Sequence, residues 1–355
     1  PAVFSAATIE RGRLAAAAGA CNICHVGSDG AAFAGGRAFA TPFGTVYATN
    51  ISPDTDNGIG AWSYPAFERA MRQGISRDGT HLYPVHPYTS FAHAEDADLQ
   101  ALYAYLMNGT PSANTPPKTT LAVPFNIRGL MAGWNTLFLR AEPVAVNISK
   151  SEAWNRGAYL VESLGHCLAC HTERNVLGAE LSGKAHLAGG FADGWEAPAI
   201  VGAGKAPVGW TKAALYEYLR HGHSADHGSA GGPMAAMVQS LSALPDEDIR
   251  AMAAYLGDGA ISDEAAAAQK DAALAAANAA ISAAARISPE GARLFEGACS
   301  SCHADGTLLP SLAHGMAVPT AAEGAMKDAI SQFWNSDKMT AEDTMNKIAS
   351  AAKTK

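Results

Sequence analysis

The pentapeptide Cys-x-x-Cys-His occurs three times in this chain of 355 residues and accounts for all six cysteines. Two thiols at this spacing can form thioether bonds to the vinyl groups of one haem, and the adjacent histidine then lies beneath the iron. The sequence therefore predicts three covalently bound haem c groups. The predicted attachment residues are Cys21, Cys24, Cys167, Cys170, Cys299 and Cys302, and the predicted proximal ligands are His25, His171 and His303.

Other uses of a Cys-x-x-Cys pair fit this chain poorly. A structural zinc site needs two pairs close together, whereas these pairs begin at positions 21, 167 and 299. A disulfide across two intervening residues would close a strained loop, and a chain of this length can build its core without such staples. A single Cys-x-x-Cys pair could serve as a thioredoxin-like redox site. Three copies that are each followed by histidine favour haem.

Composition and charge limit the possible partners. The net charge of −8 leaves no electrostatic footprint for nucleic acid. No stretch approaches the roughly 18–20 apolar residues that cross a bilayer. The chain begins at Pro1 without the basic and apolar regions of a signal peptide, so it reads as a mature protein. Because covalent haem c is assembled outside the bacterial cytoplasm, we expect a periplasmic protein.

An internal repeat relates the first two haem motifs. Residues 62–74 align without a gap with residues 210–222, and a tryptophan, an arginine and a glycine fall at the same offsets. Each segment therefore predicts a short helix with a hydroxyl residue at its start and a glycine at its end. The four predicted caps are Ser63, Thr211, Gly74 and Gly222.

Further helices complete the pattern. A helix precedes each motif, over 8–19 and 154–164, and another closes each copy, over 95–106 and 245–256. This order of helix, haem motif, long loop, helix, ligand loop and helix resembles the class I cytochrome c fold. The resemblance implies an all-α protein of three consecutive class I cytochrome c domains with long irregular loops.

The domain boundaries follow from composition. Residues 111–150 are rich in Pro, Asn and Thr and predict an irregular linker, whereas 261–287 are Ala-rich and predict a helical linker. The third motif lies in a segment that is short for such a domain. The predicted units are 1–110 (domain 1), 111–150 (linker), 151–260 (domain 2), 261–287 (helical linker) and 288–355 (atypical domain 3).

The repeat also nominates the sixth iron ligand in domain 2. Met234 follows Trp210 by 24 residues, on a loop made stiff by the preceding Pro233. Met237 is the alternative, although its position three residues later favours packing into the following core. A methionine opposite histidine gives a haem of relatively high reduction potential.

The same 24-residue offset from Trp62 reaches His86 in domain 1. The repeat therefore predicts that the first haem has two histidine ligands, with His81 and His93 as alternatives. Imidazole lacks the preference of a thioether for reduced iron, so we expect this haem to have a lower potential than a His/Met haem.

The distal side of the third haem has no counterpart in the repeat. Met339 precedes a helix-start pattern, as a ligand loop would, and is the favoured candidate. The other candidates are Met316, Met326, Met345 and His314.

Several stretches resemble the triheme cytochrome c subunits of bacterial membrane-bound periplasmic dehydrogenases. The matching stretches are 41–54, 60–62, 81–84, 87–88, 154–160, 165–172, 175 and 177–180. The likeness covers roughly residues 8–260, and the tail shares only its haem motif. The resemblance implies an electron-transfer subunit with no substrate site of its own. It would pass electrons from a catalytic dehydrogenase subunit to ubiquinone at the inner-membrane surface.

The resemblance also favours one branch of that family. Subunits that serve alcohol and sugar dehydrogenases usually have Met where this chain has His86. The block around 165–180 is more similar to the branch that is paired with molybdopterin and [2Fe–2S] subunits, which implies a periplasmic aldehyde dehydrogenase complex. The alternatives are a quinoprotein alcohol or flavoprotein gluconate dehydrogenase partner, a free-standing haem enzyme such as a peroxidase, and a soluble multihaem shuttle.

Overall fold

The computed structural model of the protein describes residues 4–201 and 208–287, which belong to one compact unit. The third haem motif, with Cys299, Cys302 and His303, lies outside these residues. The candidate ligand Met339 and the predicted domain 3 also lie outside them.

Domain 1 is built on two helices that cross at a glycine. Its elements are α1 (Ala6–Ala18), α2 (Cys21–Cys24), β1 (Ala38–Thr41), β2 (Gly44–Tyr47), α3 (Tyr64–Gln73), α4 (Tyr88–Phe91) and α5 (Asp96–Met107). The first and last helices approach so closely at Gly12 that a Cβ there would lie 1.9 Å from the carbonyl oxygen of Ala101. Only glycine fits this crossing, which fixes the framework around the first motif.

The linker and domain 2 continue the chain. The linker holds β3 (Thr120–Leu121) and α6 (Leu130–Phe138). Domain 2 begins with α7 (Glu152–Tyr159), which runs on as a π-helical turn over Leu160–Leu164. Its other α-helices and strands are α8 (Leu168–His171), β4 (Gly190–Ala192), β5 (Trp195–Ala197), α9 (Lys212–His221), β6 (His223–Ser224), β7 (Gly228–Ser229), α10 (Gly232–Leu241) and α11 (Asp246–Leu256). Helix α12 (Asp263–Ile287) follows in the segment 261–287, where the sequence predicts a helical linker.

Domain 2 repeats the helix crossing of domain 1. An added Cβ at Gly157 would lie 1.9 Å from the carbonyl oxygen of Ala251, the same distance as at the first crossing. The Arg156 guanidinium donates to Asp248 across these helices at 2.8 Å, as Arg11 donates to Asp98 in domain 1 at 2.6 Å. The two domains therefore share one helical framework.

The helices predicted from the repeat are confirmed. Gly74 and Gly222 end α3 and α9 with φ of 62° and 73°, in the left-handed region that favours glycine. The Thr211 hydroxyl accepts a hydrogen bond from the Ala214 amide at 3.1 Å, as an N-cap should. Ser63 lies at the equivalent position, but its side chain makes no capping bond.

Two predictions about regular structure were wrong in part. The described residues are mostly helical, but they also contain three short antiparallel sheets, with strand orders β1-β2-β3, β4-β5 and β6-β7. The segment 111–150 is not irregular throughout, since it contains β3 and α6. Strand β3 forms because Thr120 and Leu121 pair with Thr45 and Gly44 of β2, a tertiary partner that local composition does not reveal.

Domains 1 and 2 meet at a buried carboxylate. Asp98 is 5% exposed, and the Tyr159 hydroxyl from domain 2 donates to it at 2.5 Å. Arg11 supplies the compensating positive charge to the same carboxylate. Buried charges are stable when they are paired and hydrogen-bonded in this way.

Within the described ranges, no helix is both long and apolar enough to cross a membrane.

Candidate haem sites

The first motif presents its histidine with one ring nitrogen already engaged. Helix α1 leads into the motif through Ala20, whose φ is 47°, and α2 then carries Cys21 and Cys24 on one turn. The Nδ1 of His25 donates to the carbonyl oxygen of Thr49 at 2.6 Å. Because a carbonyl only accepts, the proton lies on Nδ1 and the lone pair of Nε2 remains for a metal.

The second motif has the same arrangement. The Nδ1 of His171 donates to the carbonyl oxygen of Pro198 at 2.8 Å, which again directs Nε2 toward a metal. A guanidinium also caps each motif. Arg37 donates to the Ile23 carbonyl and Arg174 to the Ala169 carbonyl, both at 3.0 Å, and these carbonyls precede the second cysteine of each motif.

Burial sets the charge state of these side chains. It raises the pKa of Cys21 and Cys167 to about 12, and it raises the pKa of Cys24 and Cys170 as well. Burial also lowers the pKa of His25 and His171. The site thus favours neutral sulfur and neutral imidazole, which are the states of a thioether and of an iron-ligating histidine. The residues present therefore fit a covalent haem in each domain.

The loops that carry the two candidate distal ligands have matching backbone hydrogen bonds. The Leu82 amide donates to the Gly74 carbonyl, and the Ala230 amide donates to the Gly222 carbonyl, both at 2.7 Å. These pairs are related by the same sequence offset that aligns Trp62 with Trp210. The repeat detected in the sequence is thus present in the backbone after each of the two helices.

A second pair of matching backbone hydrogen bonds is made by the two candidate distal ligands. The His86 amide donates to the Tyr83 carbonyl at 3.0 Å, and the Met234 amide donates to the Gly231 carbonyl at 3.1 Å. His86 and Met234 therefore occupy equivalent positions. Coordination of iron by either residue stays a prediction.

His86 lies near His25, the predicted proximal ligand of domain 1. Burial is the main cause that lowers the pKa of His86 to about 3. The ring is therefore neutral at neutral pH, as an iron ligand must be. The alternative His93 directs its Nδ1 to the carbonyl of Glu142 in the linker instead.

The two motifs approach one another at the domain interface. Arg37 of domain 1 forms a salt bridge of 2.6 Å with Asp193 of domain 2. The charge of Asp193 acts on both Cys24 and Cys170 and raises the pKa of each. The second cysteines of the two motifs thus share one electrostatic environment across the interface.

The framework of two crossing helices, together with a covalent-attachment motif and an oriented histidine, defines a c-type cytochrome domain. Residues 9–110 match the family described as cytochrome c, and residues 152–256 match the family described as cytochrome C oxidase, cbb3-type, subunit III. The chain belongs to the multihaem cytochrome c subunits of membrane dehydrogenases. Domains 1 and 2 therefore carry covalent haem c.

Three relatives support this assignment. The chain is 52% identical over 308 residues to a nicotinate dehydrogenase subunit of Pseudomonas putida, and the match covers 85% of this chain but 25% of that longer protein. It is 38% identical to the gluconate 2-dehydrogenase cytochrome c subunit of Pantoea cypripedii, covering 88% of this chain and 72% of that one. It is 40% identical to a diheme cytochrome c-type protein of Cereibacter sphaeroides, covering 72% and 88%.

Sequence reasoning missed some residues that shape these sites. The carbonyls of Thr49 and Pro198 orient the proximal rings, but a main-chain group leaves no signal in the sequence. His166 falls within a stretch that resembles the family and drew no prediction of its own, although its ring crosses the domain interface. A signal for it existed, because alanine stands at the equivalent place before Cys21 and Cys299.

Proposed function

We propose that the chain is the electron-transfer subunit of a periplasmic dehydrogenase and delivers electrons to ubiquinone at the inner membrane. The observation that carries this proposal is the meeting of two haem motifs at one domain interface, each with its proximal ring fixed by a carbonyl. Each haem iron, when bound, cycles between the ferric and ferrous states and so carries one electron. The protein's residues orient that iron and keep water away from it.

The proposed partners are a catalytic molybdopterin subunit and a [2Fe–2S] subunit. The 52% identity with a nicotinate dehydrogenase subunit exceeds the 38% identity with the fructose and gluconate dehydrogenase cytochromes. Nicotinate oxidoreductases fall in the same branch as the aldehyde dehydrogenases that the sequence resemblance favours. The proposed substrate class is accordingly an aldehyde or a nicotinate-like heteroaromatic acid.

The proposed axial ligands differ between the haems. In domain 1, His25 and His86 hold the iron, and in domain 2, His171 and Met234 hold it. Their equivalent backbone positions and the neutral state of His86 support this assignment. We propose a third haem c on Cys299 and Cys302, with His303 as proximal and Met339 as distal ligand.

Carbon monoxide tests whether the haems of domains 1 and 2 are electron carriers or have the exchangeable ligand position that a haem enzyme needs. The double variant Cys299→Ala/Cys302→Ala should lower the haem content from three to two per chain. In its reduced form the two remaining haems should not bind carbon monoxide rapidly, because protein ligands fill both axial positions. Absorption spectroscopy after rapid mixing reads this out. Rapid stoichiometric binding at either haem would support the haem enzyme instead.

The linker offers a surface for the proposed membrane contact. Large apolar side chains are exposed along it, and they are Val123 (75%), Phe125 (40%), Ile127 (52%), Leu130 (56%) and Leu137 (60%). The stretch 99–141 contains Lys118, Arg128 and Arg140 but no acidic residue, within a chain of net charge −8. Exposed apolar side chains beside basic ones suit an anionic lipid surface, where each cation near the surface contributes about 1 kcal/mol.

Charge introduced into this surface should abolish vesicle binding. We expect the holoprotein to float with vesicles that contain anionic phospholipid, and we expect Leu130→Glu/Leu137→Glu to stay in solution, because glutamates oppose both apolar insertion and anionic lipid. The control is Phe191→Glu in β4, where the apolar side chain is 69% exposed outside the linker. Flotation of the double variant with wild-type yield would exclude this surface as the membrane contact. If the double variant still floats but no longer copurifies with the catalytic subunit, the surface is a protein interface instead.

A further inference from the structure

His166 differs from its counterparts at the residue before the first cysteine of each motif. Each of the three motifs is preceded by Gly-x, and the residue x is Ala20, His166 or Ala298. In the two described motifs this residue adopts the left-handed conformation, with φ of 47° for Ala20 and 40° for His166. Since alanine suffices for this turn, the imidazole of His166 is not needed for the local backbone.

The His166 ring instead reaches into the other domain. Its Nε2 donates to the carbonyl oxygen of Gly19 at 3.0 Å. Gly19 lies two residues before Cys21, and His166 immediately precedes Cys167. A single hydrogen bond thus connects the chain segments that lead into the two haem attachment sites. Burial lowers the pKa of His166, so the ring is neutral and carries its one proton on Nε2.

A second set of contacts connects the His166 ring with the distal side of the first site. Phe91 is 4% exposed and meets His166 edge to face, with ring centroids 5.6 Å apart. The ring centroid of Phe91 also lies 5.5 Å from that of His86. The three rings form a packed row from the candidate distal ligand of the first haem to the attachment segment of the second. The edge-to-face contact holds the rings of Phe91 and His166 in a fixed relative position, and the ring of His86 packs on Phe91 at a tilt of 45°.

We propose that His166 is a positioning residue that sets the rate of electron transfer between the first and second haems. Its hydrogen bond to Gly19 and its contact with Phe91 join the segment before Cys167 to the attachment segment of the first site and, through Phe91, to His86. One electron moves between the two irons, so that one is oxidised as the other is reduced, and the imidazole gains or loses nothing. This inference rests on the proposed electron-transfer role.

Two matched substitutions test the hydrogen bond. The amide nitrogen of glutamine can stand where His166 has Nε2, whereas that of asparagine reaches only the place of Nδ1 and misses the Gly19 carbonyl. Asparagine also tolerates the left-handed backbone, so the loss would not come from strain. After pulse reduction of the holoprotein, we expect His166→Gln to retain the rate within about two-fold and His166→Asn to lose about ten-fold or more.

Controls separate positioning from general damage. The Ser240 hydroxyl donates to the Ala17 carbonyl across the same interface at 2.8 Å, but no haem motif adjoins it in sequence. We therefore expect Ser240→Ala to keep the wild-type rate. The potentials of both haems, measured by redox titration, should be unchanged in all three variants. Equal rates in His166→Gln and His166→Asn would overturn the proposal.

A measurement on the unaltered protein keeps the proposal testable if a variant does not mature. In the reduced, diamagnetic holoprotein the Nε2 proton of His166 should be protected from solvent exchange, because it lies in a hydrogen bond between packed domains. Rapid exchange of this proton, observed by NMR, would contradict the bond. Pulse reduction needs no dehydrogenase, so a failed partner assignment would leave this result intact.

Discussion

Replacing His86 with methionine should raise the reduction potential of the first haem by about 100 mV or more, a part of the roughly 0.8 V range that axial ligands set. The physical reason is that a thioether favours ferrous iron more than an imidazole does. Spectroelectrochemical titration measures the shift, and a methionine–iron charge-transfer band should appear at the first haem. His86 is the target because its amide makes the same backbone bond as that of Met234.

Two further variants make this result specific. Met234→His should lower the potential of the second haem, because it is the reciprocal change at the equivalent position. His93→Met should leave both potentials unchanged, since the Nδ1 of His93 bonds the Glu142 carbonyl in the linker. An unchanged potential in His86→Met, or a shifted one in His93→Met, would show that the repeat has nominated the wrong histidine.

The predicted difference in potential bears on the direction of electron flow. A first haem with two imidazole ligands would lie lower in potential than the His/Met haem of domain 2. We therefore expect electrons to enter at the first haem and to move toward the second. A titration that places the haem of Cys21 and Cys24 highest in potential would argue against entry there.

Gly12→Ala should destabilise domain 1 by about 3 kcal/mol, the upper part of the usual range for overpacking. The added methyl carbon would lie 1.9 Å from the Ala101 carbonyl oxygen, so α1 and α5 would have to separate. Gly157→Ala should have a similar effect in domain 2, where the distance to the Ala251 carbonyl oxygen is the same. Denaturant unfolding of the holoprotein, followed at each haem, measures both losses.

Gly133→Ala in α6 is the matched control for these variants. No atom apart from the neighbouring residues and backbone of its own helix lies within 4 Å of a Cβ added at Gly133, so the change should be neutral or stabilise the protein by up to about 1 kcal/mol through helix propensity. If Gly12→Ala unfolds at the same denaturant concentration as Gly133→Ala, the two helices do not cross as closely as the 1.9 Å distance implies.

The sequence predicted the parts of the fold that depend on local signals. The Cys-x-x-Cys-His spacing identified both described haem sites, and the offset from Trp62 to His86 is matched by backbone bonds in the structure. Helix ends at Gly74 and Gly222 were predictable because a left-handed terminus favours glycine.

The remaining features depend on contacts between distant parts of the chain. Strand β3 needs β2 as its partner. The abundance of Pro, Asn and Thr predicted an irregular linker, although α6 begins within it at Leu130. The buried contact of Tyr159 with Asp98 and the bond of His166 with Gly19 each join the two domains. Neither domain alone contains the information to predict them.

The most direct test is to isolate the tagged chain from detergent extracts with its bound partners and add substrate without oxygen. Our proposal predicts a copurifying catalytic subunit that contains molybdenum, and it predicts reduction of the haems by an aldehyde or a nicotinate-like acid, followed by reoxidation with a ubiquinone analogue. A chain that purifies with no catalytic subunit, or a bound dehydrogenase that turns over while the haems stay oxidised, would contradict the proposed function.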